Sequence, residues 1–188
     1  MPQSEAMTVS VPRVKITYQD YLQLPEEQRY EVLVGDLRMV PAPGSLHQLV
    51  VENLYFIARN CLGQRGRVCM APRDVILDED SVVQPDLFVI LRERLGIINP
   101  EGVRGAPDLV VEVLSPSTTN RDRGVKRRLY ARYGVQEYWI IDPQERTVEV
   151  TALRDGLLET VSLVPDGAVV CSAVLPDLTF AVADLFVQ

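Results

Sequence analysis

Two short apolar runs, DLVVEVL from Asp108 and EYWIIDP from Glu137, flank a basic stretch of about 15 residues that reads as helical and closes near Gly134. Continuous runs of this length and composition are those of strands buried on both faces. A strand, a helix and a second strand in that order make a βαβ unit with a right-handed crossover. The chain therefore reads as α/β, with a central sheet flanked by helices. Its 188 residues, 47% of them hydrophobic, can fill a core without help from disulfides or a structural metal. A loose, proline-bearing tail is expected over residues 1–14 and a single domain over 15–188.

The rest of the chain fits the same class. Thr17 can cap a short helix that ends before Pro25, and YEVLVGDLRMV alternates about a Gly-Asp pair as a hairpin with Glu31 on its first strand. From Ser45, the residues Leu46, Leu49, Val50, Leu54, Ile57, Ala58, Cys61 and Leu62 recur at helical spacing, and Gly63 closes the helix. RVCMA, RDVILD and DLFVIL read as three strands, RERLGIINPEGVRGAP as a short helix and a loop, and the C-terminal part as a hairpin and a lid. Cys61, Cys69 and Cys171 have no metal-binding spacing and are expected as buried apolar residues in a reducing cytoplasm. With no apolar run long enough to span a bilayer, a soluble cytoplasmic protein that meets no membrane is expected. The net charge of −7 argues against a broad nucleic-acid surface, so any such binding must use a local patch.

Carboxylates mark where chemistry could sit. QPDLFVIL sets Asp86 at the head of one apolar strand, and APDLVVEVL sets Asp108 at the head of another, with Glu112 further along it. An ionised carboxylate between valines is costly unless it is paired or bound to a metal. Strand alternation puts Asp108 and Glu112 on one side. From Glu112 the strand climbs about 13 Å to Pro116, and a helix running back from near Thr119 covers about 10 Å by Lys126. Lys126 is thus expected level with Glu112. A cation beside clustered acids is what phosphoryl transfer needs, with the acids holding Mg²⁺ (or Mn²⁺) and the lysine stabilising charge.

Residues 105–143, GAPDLVVEVLSPSTTNRDRGVKRRLYARYGVQEYWIIDP, resemble the signature of the Uma-two family of restriction-endonuclease-like proteins, a branch of the PD-(D/E)xK nuclease superfamily. The resemblance extends to YEVLVGDLRMVPAP, the His47 helix and LPDLTFAVADLF. It implies a restriction-endonuclease-like fold and a metal-dependent endonuclease acting on DNA. It also assigns Asp86 to the PD motif, Glu112 to the (D/E)xK motif and Glu31 to an upstream acid that assists the metal. The sequence departs from the pattern where Leu114 replaces the motif lysine, which leaves Lys126 to supply the cation. The catalytic set is then Asp86, Glu112 and Lys126, with Glu31 or Asp108 completing the metal shell. By analogy with nucleases that cut both strands, the resemblance also suggests a homodimer.

Plainer readings stand beside these. Asp86 and Asp108 could be turn residues, Glu31 could face solvent, and Lys126 could pair with Asp122 one turn away on an exposed helix face. His47 reads as a surface or substrate contact more readily than as a general base. RDRGVKRRLYAR carries six basic residues against one acid, and Arg121, Arg123, Arg127 and Arg128 are either phosphate contacts or a solvated face. A rival function is a catalytically inactive nuclease-like scaffold that binds nucleic acid or a protein. A third is hydrolysis of a small phosphoester in a closed pocket.

Overall fold

The structure, a computed structural model, describes residues 14–25 and 27–188. The tail expected over residues 1–14 lies outside the described residues except for Val14. In chain order the elements are α1 (Tyr18–Tyr21), β1 (Tyr30–Leu33), β2 (Asp36–Met39), α2 (Ser45–Leu62), β3 (Gly66–Met70), β4 (Val75–Asp78), β5 (Ser81–Val83) and β6 (Leu87–Leu91). A 3₁₀ turn, Arg92–Ile97, leads to β7 (Ile98–Asn99), β8 (Gly102–Arg104) and β9 (Leu109–Val113). Then follow α3 (Thr119–Arg121), a π-turn (Asp122–Lys126), α4 (Arg127–Tyr133), β10 (Glu137–Asp142), β11 (Thr147–Arg154), β12 (Leu157–Pro165), β13 (Val169–Cys171), β14 (Thr179–Ala181) and a closing 3₁₀ turn, Val182–Phe186.

The strands form two six-stranded sheets, β12-β11-β10-β9-β6-β3 and β2-β1-β5-β4-β8-β7, and a small β13-β14 ribbon. The first sheet is mixed: β9 and β10 run parallel, as the strand–helix–strand pattern requires, while β6 joins β9 antiparallel. Alternation along β9 sends Val111 and Val113 to one face, where Leu54, Ala58 and Leu62 of α2 cover them with Val182 and Leu185. Val110 faces the other way, against Leu129 and Tyr130 of α4 and Val75 and Val83 of the second sheet. Glu112 shares that second face, and so meets the helical stretch that crosses over it.

Local chemistry explains most boundaries. Thr17 caps α1 in a reciprocal box with Asp20. The β1–β2 hairpin turns on Val34 and Gly35, both at positive φ, one residue earlier than the expected Gly-Asp pair. Two elements differ from expectation. Ser81–Val83 folds back on β4 as a separate strand, and residues 98–104 form a hairpin whose β8 adds parallel to β4. Strands of two or three residues show no periodicity, and their pairing partner lies far away in sequence. Gly102 is needed there because a Cβ at that position would sit 2.7 Å from the Asp74 carbonyl oxygen.

Candidate active site

The β6–β9 register places the two principal acids. Leu87 lies opposite Val111, so Asp86, one residue before β6, falls opposite Glu112. Residues so paired have Cβ atoms about 4.5–5.5 Å apart on the same face. Asp86 is held by the Val113 amide, which donates to Oδ2 at 2.8 Å, and by His47 Nε2 at 3.1 Å. Both acids line a cleft of about 280 Å³ whose rims are residues 41–44 and 115–118.

Lys126 enters from the π-turn. One extra residue per turn in Asp122–Lys126 widens the helix locally, a feature that recurs at functional sites. Its Nζ lies 2.8 Å from Oε1 of Glu112, 2.8 Å from Oε1 of Glu31 and 3.8 Å from Oδ1 of Asp122. Tyr130, one turn further along and fully buried, donates its hydroxyl to the same Glu112 oxygen at 2.6 Å. Glu31 also accepts from the Gln84 amide at 2.9 Å, and its second oxygen is 3.7 Å from Arg121 Nη1.

Charge in this cluster is unbalanced. Lys126, Glu31, Glu112 and Asp122 are each no more than 3% exposed, and even with Arg121 at 3.7 Å from Glu31 and 4.0 Å from Asp122 two cations face three carboxylates. Burial pushes the Glu112 carboxyl well above the ordinary carboxylate range despite the pull of Lys126, and burial likewise raises Asp122. For Lys126, burial alone would favour loss of the proton, but Glu112, Glu31 and Asp122 outweigh it and keep the ammonium charged. His47 is raised as well: its burial acts downward, and the hydrogen bond and charge of Asp86 act upward more strongly.

The donor set suits a hard divalent cation better than a zinc cage. No group of three or more His, Cys, Asp and Glu side chains is arranged around a common point among the described residues. Mg²⁺ commonly takes one or two protein carboxylates and completes its shell with water and substrate phosphate. Asp86 and Glu112 present such a pair: Asp86 uses Oδ2 and Glu112 uses Oε1 for their hydrogen bonds, and the second oxygen of each makes none among the described residues. The excess of buried negative charge favours the same occupant.

Of the residues singled out from sequence, Glu31, Asp86, Glu112, Lys126, Arg121 and His47 line this cleft. Asp108 does not join them. It begins β9 at the end opposite Glu112, roughly 13 Å along the strand, where it accepts from the Leu91 amide at 2.8 Å and pairs with Arg94 at 2.6 Å. Arg123 and Arg127 also turn away, pairing with Glu149 at 2.5 Å and 2.9 Å, and Arg128 is exposed beside β12. Glu31 is buried, not solvent-facing, because its side chain turns from β1 into the cluster, toward Lys126, the Gln84 backbone amide and Arg121. The Lys126–Asp122 pair forms, but inside the protein. Sequence reasoning missed Tyr130, Gln84 and Arg29; for Tyr130 the signal was available, since it follows Lys126 by one helical turn.

A mixed sheet with helices on its faces, two acids on neighbouring strands and a lysine returning to them define a restriction-endonuclease-like α/β protein. The chain belongs to the Uma2 family, whose model, described as "Putative restriction endonuclease", matches residues 18–183. The solved structure of "a putative nuclease belonging to DUF820 from Anabaena variabilis" covers 91% of this chain and 97% of its own, with a TM-score of 0.77 and 24% identity. That likeness shows the fold. No curated protein matches the chain. No helix among the described residues is long and apolar enough to cross a membrane.

Proposed function

We propose that the chain is a divalent-metal-dependent endonuclease that hydrolyses phosphodiester bonds in DNA. The observation that carries this is the meeting of Asp86, Glu112 and the Lys126 ammonium in one cleft, from three separate parts of the sequence. Bound to Asp86 and Glu112, Mg²⁺ or Mn²⁺ would supply Lewis-acid polarisation of the phosphate. Lys126 donates to Glu112 and pairs with Glu31 at 2.8 Å, and its remaining N–H serves charge developing on the phosphoryl oxygens. Glu31 orients that lysine and Arg121 together. Tyr130 fixes Glu112 so that its Oε2 stays available to the metal.

One observation favours the rival reading of an inactive scaffold, namely the net charge of −7, which leaves few cations for a substrate. A cleavage panel separates the two. Single-stranded, double-stranded and branched DNA, with RNA alongside, would be incubated with Mg²⁺, Mn²⁺ or chelator, using wild type and Glu112→Gln. Cutting that needs the metal and disappears in Glu112→Gln is expected. Cutting by that variant at the wild-type rate, or in chelator, removes the assignment; no cutting of any substrate favours the scaffold.

A further inference from the structure

A recess beside the cleft is not used by the chemistry above. It measures about 120 Å³ and adjoins the cleft, since Arg29, Pro43, His47 and Asp86 border both spaces. Away from the cleft it is lined by Val51, Ala71 and Met70, the last 37% exposed, together with Gln48 and Glu52 on the exposed side of α2. Arg29 is anchored there: its Nε donates to Gln84 Oε1 at 2.8 Å, and Gln84 in turn donates to Asp74 at 2.7 Å. The two terminal nitrogens of Arg29 make no hydrogen bond or ion pair among the described residues. A guanidinium fixed at its stem with a free fork can take a phosphate or stack on a planar ring.

We propose that this recess is a subsite for an unpaired nucleobase flanking the phosphate in the cleft, so that the substrate strand is single-stranded or frayed at the point of cutting. The inference rests on the endonuclease reading and narrows its substrate. Three observations carry it. The recess borders Asp86, one of the two carboxylates assigned to the metal, on the side away from Glu112 and next to the cleft that would hold the scissile phosphate. It sets the apolar side chains of Val51, Ala71 and Met70 near an oriented arginine, which matches the sequence-tolerant, stacking-based binding of single strands. Finally, a base inside a duplex would have to be taken out of its stack to enter, while the acidic chain has little of the cationic surface on which duplex binding depends.

The test is equilibrium binding of short fluorescent oligodeoxynucleotides in Ca²⁺, each carrying one abasic nucleotide at a different position. In the wild-type protein one abasic position should weaken binding by about tenfold, in line with the usual worth of a stacked base, and the matching duplex should bind more weakly than the strand. Gln48→Trp, from the exposed rim of α2, should fill the recess, after which intact and abasic strands bind alike. Met70→Glu, at an exposed position of the edge strand β3, is the second variant, and circular dichroism checks both folds. Insensitivity of the wild type to every abasic position, or discrimination that survives in both folded variants, overturns the subsite. Hydrolysis of bis(p-nitrophenyl) phosphate with Mn²⁺ reads the chemistry separately. Its persistence alongside abasic-insensitive binding removes only the subsite, whereas its absence counts against the endonuclease reading.

Discussion

Replacing Lys126 with methionine keeps most of the side-chain volume and removes the charge, leaving Glu112 buried without its cation and Glu31 and Asp122 with only the more distant Arg121. Removing one partner of a buried ion pair costs about 3–5 kcal/mol, or about 6–20 °C in Tm for a chain of this length. Protonation limits the loss. Glu112 is already raised above its reference value of 4.5 by burial, and without the ammonium, which pulls it down, it rises further. A carboxyl raised in the folded state contributes most below its unfolded value, where both states hold the proton, and loses that contribution as pH climbs through the folded value. The penalty of Lys126→Met should therefore be smallest near pH 4.5 and grow toward pH 8. Urea unfolding of both proteins, followed by the fluorescence of the buried Trp139, measures the difference at several pH values. A loss below about 1 kcal/mol that does not change with pH would refute the buried cluster as the origin of the effect.

Two further substitutions separate the site from its surroundings. Tyr130→Phe deletes the hydroxyl that donates to Glu112 and should weaken Mn²⁺ binding about 10- to 100-fold, the usual consequence of losing a partner that orients a metal ligand; calorimetric titration reads it, and unchanged affinity would show that the hydroxyl does not orient the carboxylate. Asp108→Ala removes the acceptor of the Leu91 amide and the Arg94 pair and should cost about 1–3 kcal/mol in denaturant unfolding. Its affinity for Mn²⁺ should match wild type, because the residue lies at the far end of β9.

Much of this was legible in the residues because simple geometry governs it. Glu112 announces itself as a carboxylate between valines, and the rise of a strand against the rise of a helix is enough to bring Lys126 back to its level. The strand–helix–strand pattern likewise gives the parallel β9–β10 pair. What the residues could not decide was which of two identical Pro-Asp-Leu heads belongs to the site, since that depends on strand direction. β6 is antiparallel to β9, so the head of β6 lies beside the tail of β9 and brings Asp86 to Glu112. The head of β9 lies beside the tail of β6, and Asp108 caps Leu91 there instead. The arginines part company for a related reason: Arg121 faces the cleft, whereas Arg123 and Arg127 follow the helix round to Glu149 on β11, a partner no local pattern reveals.

The decisive measurement is a calorimetric titration of Mg²⁺ and Mn²⁺ into wild type, Asp86→Asn and Glu112→Gln, with the folded state of each confirmed by thermal unfolding. Saturable binding by the wild type that is lost in both variants is the predicted result. No binding by the wild type, or binding that either variant retains at full strength, would show that these two carboxylates do not share an ion.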